Sequence, residues 1–250
     1  MKMQIFTLTL LLLTSSYGHT NDSDLLNSID QMIAVNQIDS ALEKVNDLLE
    51  KDQTNIGLLT RQTRLITLKG NQSLEKKDKI RFYEESIHMT DEMVKRYPKS
   101  ANGYLRRAIA KGKLALHKGV FSSRSLVLAL KEDTQKVLTL DTSTDYQKAL
   151  ASYILGKAHK KISKKPKFVR APLGLAWANK SEGEALIASA YKLSPNSINI
   201  AYEYAQQLKD TSKKDEAKNV LLKIKSLKIY DPSDVELKKD AQNLLNTLSA

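Results

Sequence analysis

Histidine is the residue type best suited to metal or proton chemistry near neutral pH, and the chain holds four, at positions 19, 88, 117 and 159. No two are spaced to share a helix face as metal ligands, and none lies in an H-E-x-x-H motif, so the pattern points away from a metal enzyme. Cysteine is absent, which removes thiol nucleophiles and disulfides together. The G-x-S-x-G elbow, the phosphate-binding glycine loop and the dinucleotide fingerprint are also missing. Acidic neighbours such as Glu84 with Glu85, or Asp91 with Glu92, read as solvated helix faces rather than catalytic pairs. The expectation is a protein that is not an enzyme and needs no cofactor.

Charge is the stronger chemical signal. Lysine and arginine number 40 against 28 acidic residues, a formal charge of +12. There is no acidic residue between Met93 and Lys131, nor between Tyr146 and Ser181, so the middle of the chain is expected to be more positive than its ends. Nucleic acid is the usual partner for such a charge. The N-terminus argues against it. Lys2 precedes the apolar run Ile5–Leu13, and small residues Ser16 and Gly18 stand three and one places before a cut after Gly18. That arrangement reads as a signal peptide over residues 1–18, and the run is too short to span a bilayer. Cleavage would leave His19 at the mature N-terminus, where amine and imidazole together suit copper, although a frayed polar leader is the ordinary reading. The mature chain is expected to be periplasmic or secreted and soluble, with an acidic protein or peptide as partner, no nucleic acid, and an anionic envelope surface as a further contact.

The elements that would position this charge are helices. Glycine and proline total only 14 residues, and apolar residues recur at helical spacing with little strand-like alternation. Five helix pairs follow from the periodicity. Their first helices run near 24–35, 55–69, 100–117, 145–162 and 197–209, and their partners near 38–51, 78–96, 122–140, 180–193 and 213–228. A last amphipathic helix, about 233–248, caps the stack. The fold expected over residues 19–250 is all-α, an α-solenoid of about five such pairs plus the cap.

Residue identities give the pairs a signature. In the fifth pair Ala205 and Ala217 stand twelve apart, followed by Leu221 and Ile224, which fits two helix backbones in close approach. The fourth has Leu155-Gly156, then Gly183, Ile187 and Ala190, with Pro195 as a stop. Earlier copies supply Ala41, Val45 and Leu48; Ser86, Thr90, Met93 and Pro98; and Tyr104, Ala108, Thr134 and Val137. Two copies are enlarged, by Gly70–Lys77 and by Ser163–Asn179. The latter mixes lysines with Phe168, Leu173, Leu175 and Trp177. Its apolar part is expected to plug the gap between helices, while its charged part suits a membrane surface or a partner.

The pattern resembles the tetratricopeptide-repeat (TPR) superfamily, in a divergent branch that includes the T components of TRAP transporters and the regulators of microtubule dynamics. The carrying runs are Tyr153-Ile154-Leu155-Gly156-Lys157, Glu182–Ala190 and Leu193-Ser194-Pro195-Asn196-Ser197. The resemblance implies a non-catalytic helical scaffold whose first helices line a concave groove. It places Tyr153, Lys157, Lys160 and Lys161 of the fourth pair, and Tyr202, Gln206 and Lys209 of the fifth, on that surface. Tyrosine offers flat contact area and lysine offers charge for a carboxylate or phosphate. Some members grip C-terminal carboxylates with lysines and asparagines, but those asparagines are absent here. The expected function is an exported scaffold that binds an acidic protein or peptide in a basic groove. The alternatives are an accessory of an extracytoplasmic solute transporter and a structural protein on an anionic envelope polymer.

Overall fold

The computed structural model describes residues 22–119 and 123–249. The expected signal peptide, and the His19 terminus its removal would create, lie outside the described residues. Twelve helices appear among those described: α1 (Asp22–Ala34), α2 (Ile38–Lys51), α3 (Ile56–Gln72), α4 (Lys76–Arg96), α5 (Ala101–His117), α6 (Arg124–Thr139), α7 (Asp145–Ser163), α8 (Lys167–Arg170), α9 (Lys180–Leu193), α10 (Ile198–Asp210), α11 (Lys214–Ile224) and α12 (Ser233–Ser249). They form five hairpins, α1/α2, α3/α4, α5/α6, α7/α9 and α10/α11, with α12 packed on the last. First helices lie side by side, α1 on α3, α3 on α5 and α5 on α7, as a solenoid requires.

Local chemistry fixes the ends. Thr144 and Gln147 form a reciprocal capping box at the start of α7, and the Asn55 and Asn179 side chains accept backbone N–H bonds at the starts of α3 and α9. The first and fifth hairpins turn in the same way. Gln37 N–H bonds to the Met32 carbonyl and Asn36 N–H to that of Ile33, while Lys213 and Ser212 bond likewise to Leu208 and Lys209. Both are Schellman closures, with Asn36 and Ser212 left-handed at φ 66° and 62°.

The small positions are buried where the helices touch. Ala205 and Ala217 have no exposed surface and share one apolar cluster. In the second hairpin the contact is polar, with the Thr67 and Ser86 hydroxyls 2.9 Å apart. The enlargement at Gly70–Lys77 is chiefly longer helix rather than a polar loop: α3 continues to Gln72 and α4 starts at Lys76. Gly70 permits this, because a Cβ there would meet the Tyr83 ring at 2.6 Å. At the other end α11 stops at Ile224, short of residue 228, and residues 225–232 form a linker to α12.

The fourth enlargement is ordered by its own side chains. The Arg170 guanidinium donates to the carbonyls of Leu175, Ala176 and Ala178 at 2.9, 3.1 and 2.7 Å, curling the segment around one cation. Leu175 and Ala178 are buried, Leu173 and Trp177 are partly buried, and Trp177 sits edge-on to His159 with ring centroids 4.7 Å apart. The apolar part therefore fills the gap between helices, whereas Phe168 and Val169 remain exposed.

Candidate functional site: the groove of the first helices

Four first helices and the linker before α12 surround one groove. From α3, Arg64 reaches the linker, donating to the Tyr230 carbonyl at 2.7 Å and lying 3.2 Å from the Asp231 carboxylate. Asp234 holds the linker in shape by accepting from the N–H groups of Tyr230 and Asp231, both at 2.9 Å. At the mouth, Ala34, Val35 and Asn36 of the first hairpin face Pro232, Val235 and Glu236 across a shallow cleft. The two ends of the solenoid thus meet around the groove.

Two of its cations, both on α5, are poorly neutralised. Arg106 of α5 has a buried Nε with no hydrogen-bond partner among the described residues. Burial pushes its pKa down to about 10, and neighbouring Arg64 pushes the same way against the weaker pull of Tyr146, Asp231 and Asp30. Lys113, two turns along α5, is also lowered by burial, with Lys157 adding repulsion and Asp231 opposing it. Asp231 lies below the ordinary aspartate value, because Arg64 and the Ser233 hydrogen bonds overcome the effect of burial.

Of the seven residues expected on this surface, three come together, Tyr153, Lys157 and Lys160 on α7. The Lys157 ammonium is 3.2 Å from the Tyr153 hydroxyl and 5.2 Å from that ring's centroid. Lys157 and Lys160 both bind Glu203 of α10, at 3.3 and 2.8 Å. Burial opposes the charge of Lys157, yet Tyr153 and Glu203 outweigh it and its pKa is raised. Glu203 is lowered for the reciprocal reason, its two lysines overcoming burial. Lys161 points to solvent. Tyr202, Gln206 and Lys209 do not join this cluster. Tyr202 packs against the apolar cluster that includes α12, Gln206 lies one turn further along α10, and Lys209 is exposed beside Asp210 at 3.4 Å.

A family model described as Regulator of microtubule dynamics protein 1-3 matches residues 25–249. The chain belongs to this family. Among solved structures, a thermophilic TPR protein from Thermus thermophilus is similar, with a TM-score of 0.62 and 17% identity over 90% of this chain and 100% of that one. That similarity concerns the fold. No curated protein matches significantly. The family match and the structural likeness agree on a TPR-like scaffold, the kind of fold that generally mediates protein interactions.

Within that scaffold, some charge expected from the sequence is cancelled in space. Arg107 and Lys111 lie in an acid-free stretch, yet both bind buried Asp133 of α6, at 2.6 and 3.0 Å, and Arg107 also binds Asp91 of α4 at 2.7 Å. Lys118 pairs with Glu84 at 2.7 Å. Second helices supply the carboxylates, so a gap in acidic residues along the chain is not a gap in the folded protein. What stays uncompensated within the groove is narrower: Arg106 and Lys113, facing inward from α5. Helical spacing marks them, since they stand seven apart on one stripe of α5. Asp231 and Glu203 gave no comparable signal, as their roles depend on helices distant in sequence.

Proposed function

We propose that the protein is an exported, non-catalytic scaffold that binds an acidic protein or peptide in the groove, with Arg106, Lys113, Tyr153 and Lys157 as its main contacts. The observation that carries this reading is the unpartnered Nε of Arg106, buried near the like charge of Arg64. Such an arrangement is costly when empty of anions and is relieved by a carboxylate. Tyr153 adds a flat face beside the cations, suited to a peptide rather than a bare ion. The leader at residues 1–18 supports an extracytoplasmic location and argues against transferring the role in the family's name to this chain. Among the described residues no helix is long and apolar enough to cross a membrane.

The test is fluorescence anisotropy with a labelled glutamate-rich peptide. Lys113→Glu with Lys157→Glu should weaken binding by at least about tenfold and flatten its salt dependence, since each removes a charge-assisted contact. Lys238→Glu with Lys239→Glu on α12 makes the same change in net charge, and binding should be nearly unchanged. Equal losses from the two pairs would reduce the interaction to general electrostatic attraction and end the groove reading.

A further inference from the structure

The hairpin topology sorts the connections onto two edges. Turns inside hairpins follow the C-termini of first helices and lie along one edge, while turns between hairpins lie along the other. Neighbouring turns on the first edge touch. Gln72 hydrogen-bonds to Asn36, Tyr83 stacks on His117 with centroids 5.7 Å apart, and Arg124 donates to the Leu173 carbonyl at 2.7 Å. Turns on the second edge are joined in the same manner, by the Tyr97 hydroxyl to the Thr54 carbonyl at 2.8 Å and the Thr142 hydroxyl to that of Lys99 at 2.6 Å. Each edge is therefore a continuous surface.

Their chemistry differs. Among the described residues, the four most exposed large apolar side chains are Leu74 at 94%, Phe168 at 79%, Val35 at 66% and Leu116 at 61%. All four lie on the first edge, one in each of four successive hairpins. Around them, Lys76, Lys77, Lys161, Lys164, Lys165 and Lys167 are exposed, and none forms an ion pair among the described residues. The second edge differs in its apolar side chains. It too carries exposed cations without an ion pair among the described residues, Lys51, Arg96, Lys99, Lys136 and Lys192, and the first edge includes exposed Glu75 beside Leu74, but in or directly flanking the turns at 52–55, 97–100, 140–144 and 194–197 no large apolar side chain is more exposed than Leu193 at 38%.

We infer that the first edge docks the protein on an anionic lipid surface. Leu74, Leu116 and Phe168 enter the boundary between headgroups and acyl chains, and the unpaired lysines lie over the phosphates. A bilayer fits better than a protein partner because the apolar tips stand at four separate hairpin ends. A protein would need a matching depression for each, whereas the interfacial layer accepts Leu or Phe at any lateral position. Lysines flanking such tips gain from the negative surface potential of anionic lipid. An acidic protein could satisfy the lysines, but it would leave the protruding Leu74 and Phe168 without a function. Val35 borders both this edge and the cleft at the groove mouth, but none of the groove contacts Arg106, Lys113, Tyr153 and Lys157 is among the docking residues.

The experiment is sedimentation of the purified protein with vesicles of equal parts phosphatidylglycerol and phosphatidylcholine, and with phosphatidylcholine alone. The protein should bind the mixed vesicles and ignore the neutral ones. Leu74→Ser with Phe168→Ser should weaken the partition coefficient at least about tenfold, and Lys165→Glu with Lys167→Glu by a similar factor. Leu193→Ser with Leu222→Ser, apolar losses away from this edge, should leave it unchanged. Circular dichroism confirms that the variants, all at exposed positions, remain folded. Failure to bind anionic vesicles overturns the inference, and so does full binding by the Leu74/Phe168 variant, which would mean adhesion by charge alone. Peptide anisotropy on the same variants keeps the groove reading separate, because none of these substitutions touches it.

Discussion

Gly156 of α7 and Gly183 of α9 face each other so closely that a Cβ built on either would lie 2.8 Å from the other's carbonyl oxygen. Both glycines are buried within helices, Gly156 midway along α7 and Gly183 in the first turn of α9, and glycine inside a helix normally costs up to about 1 kcal/mol relative to alanine. Close approach explains the choice. The atom in the way is backbone, which cannot swing aside as a side chain could.

Gly156→Ala and Gly183→Ala should each therefore destabilise the protein, by about 1–3 kcal/mol for overpacking, in spite of the gain in helix propensity. Urea denaturation measures the effect. Asn219→Ala, at an exposed position of α11, should stay within about 0.5 kcal/mol of the parent. A stabilised Gly156→Ala variant would show that the two helices are not this close.

This pair also shows what the sequence makes legible. Small residues at matched places in successive hairpins mark helix contacts because close packing allows few alternatives, and that logic locates the five hairpins and the cap. Gly70 misleads, since a glycine before polar residues reads as a loop until the Tyr83 ring it accommodates is known. Lys157 and Lys160 can be assigned to one face from helical spacing. That Glu203 neutralises them depends on how α10 is rotated against α7, which no local pattern encodes. The division between Tyr153 and Tyr202 likewise arises from α12, which covers the second tyrosine.

His159 should make the insert sensitive to pH. It is 3% exposed, its Nδ1 accepts the Asn179 N–H at 3.0 Å, and burial holds its pKa below the ordinary 6.5, although Glu182 opposes this. The folded state thus binds the proton less readily than the unfolded state. Stability is full above about pH 6.5 and is lost as the pH falls below it, towards the depressed folded value. Trp177, the only tryptophan, lies against the ring and reports the change. Its emission should shift as the pH falls below about 6.5, and His159→Gln should remove that transition. A shift that persists in the variant would assign the titration to another group.

The last prediction uses Glu203 to distinguish groove recognition from general attraction. Its carboxylate is the internal counterion of both Lys157 and Lys160, and any acidic ligand at Tyr153 must compete with it. Glu203→Gln keeps the shape and removes the competition. Two opposing effects follow. The fold should lose about 1 kcal/mol, because two partly exposed lysines are left without their partner and solvent screens much of the cost. Binding of the glutamate-rich peptide should tighten by about tenfold, since the freed ammonium groups regain a charge-assisted partner only in the complex. Salt dependence should steepen at the same time, as more unpaired cations take part. Peptide titration at several ionic strengths, together with a denaturation curve, measures all three. A variant that is less stable but binds no better would place the ligand away from Lys157. If Lys113→Glu in the same background then abolished binding, the site would centre on Arg106 and Lys113 alone.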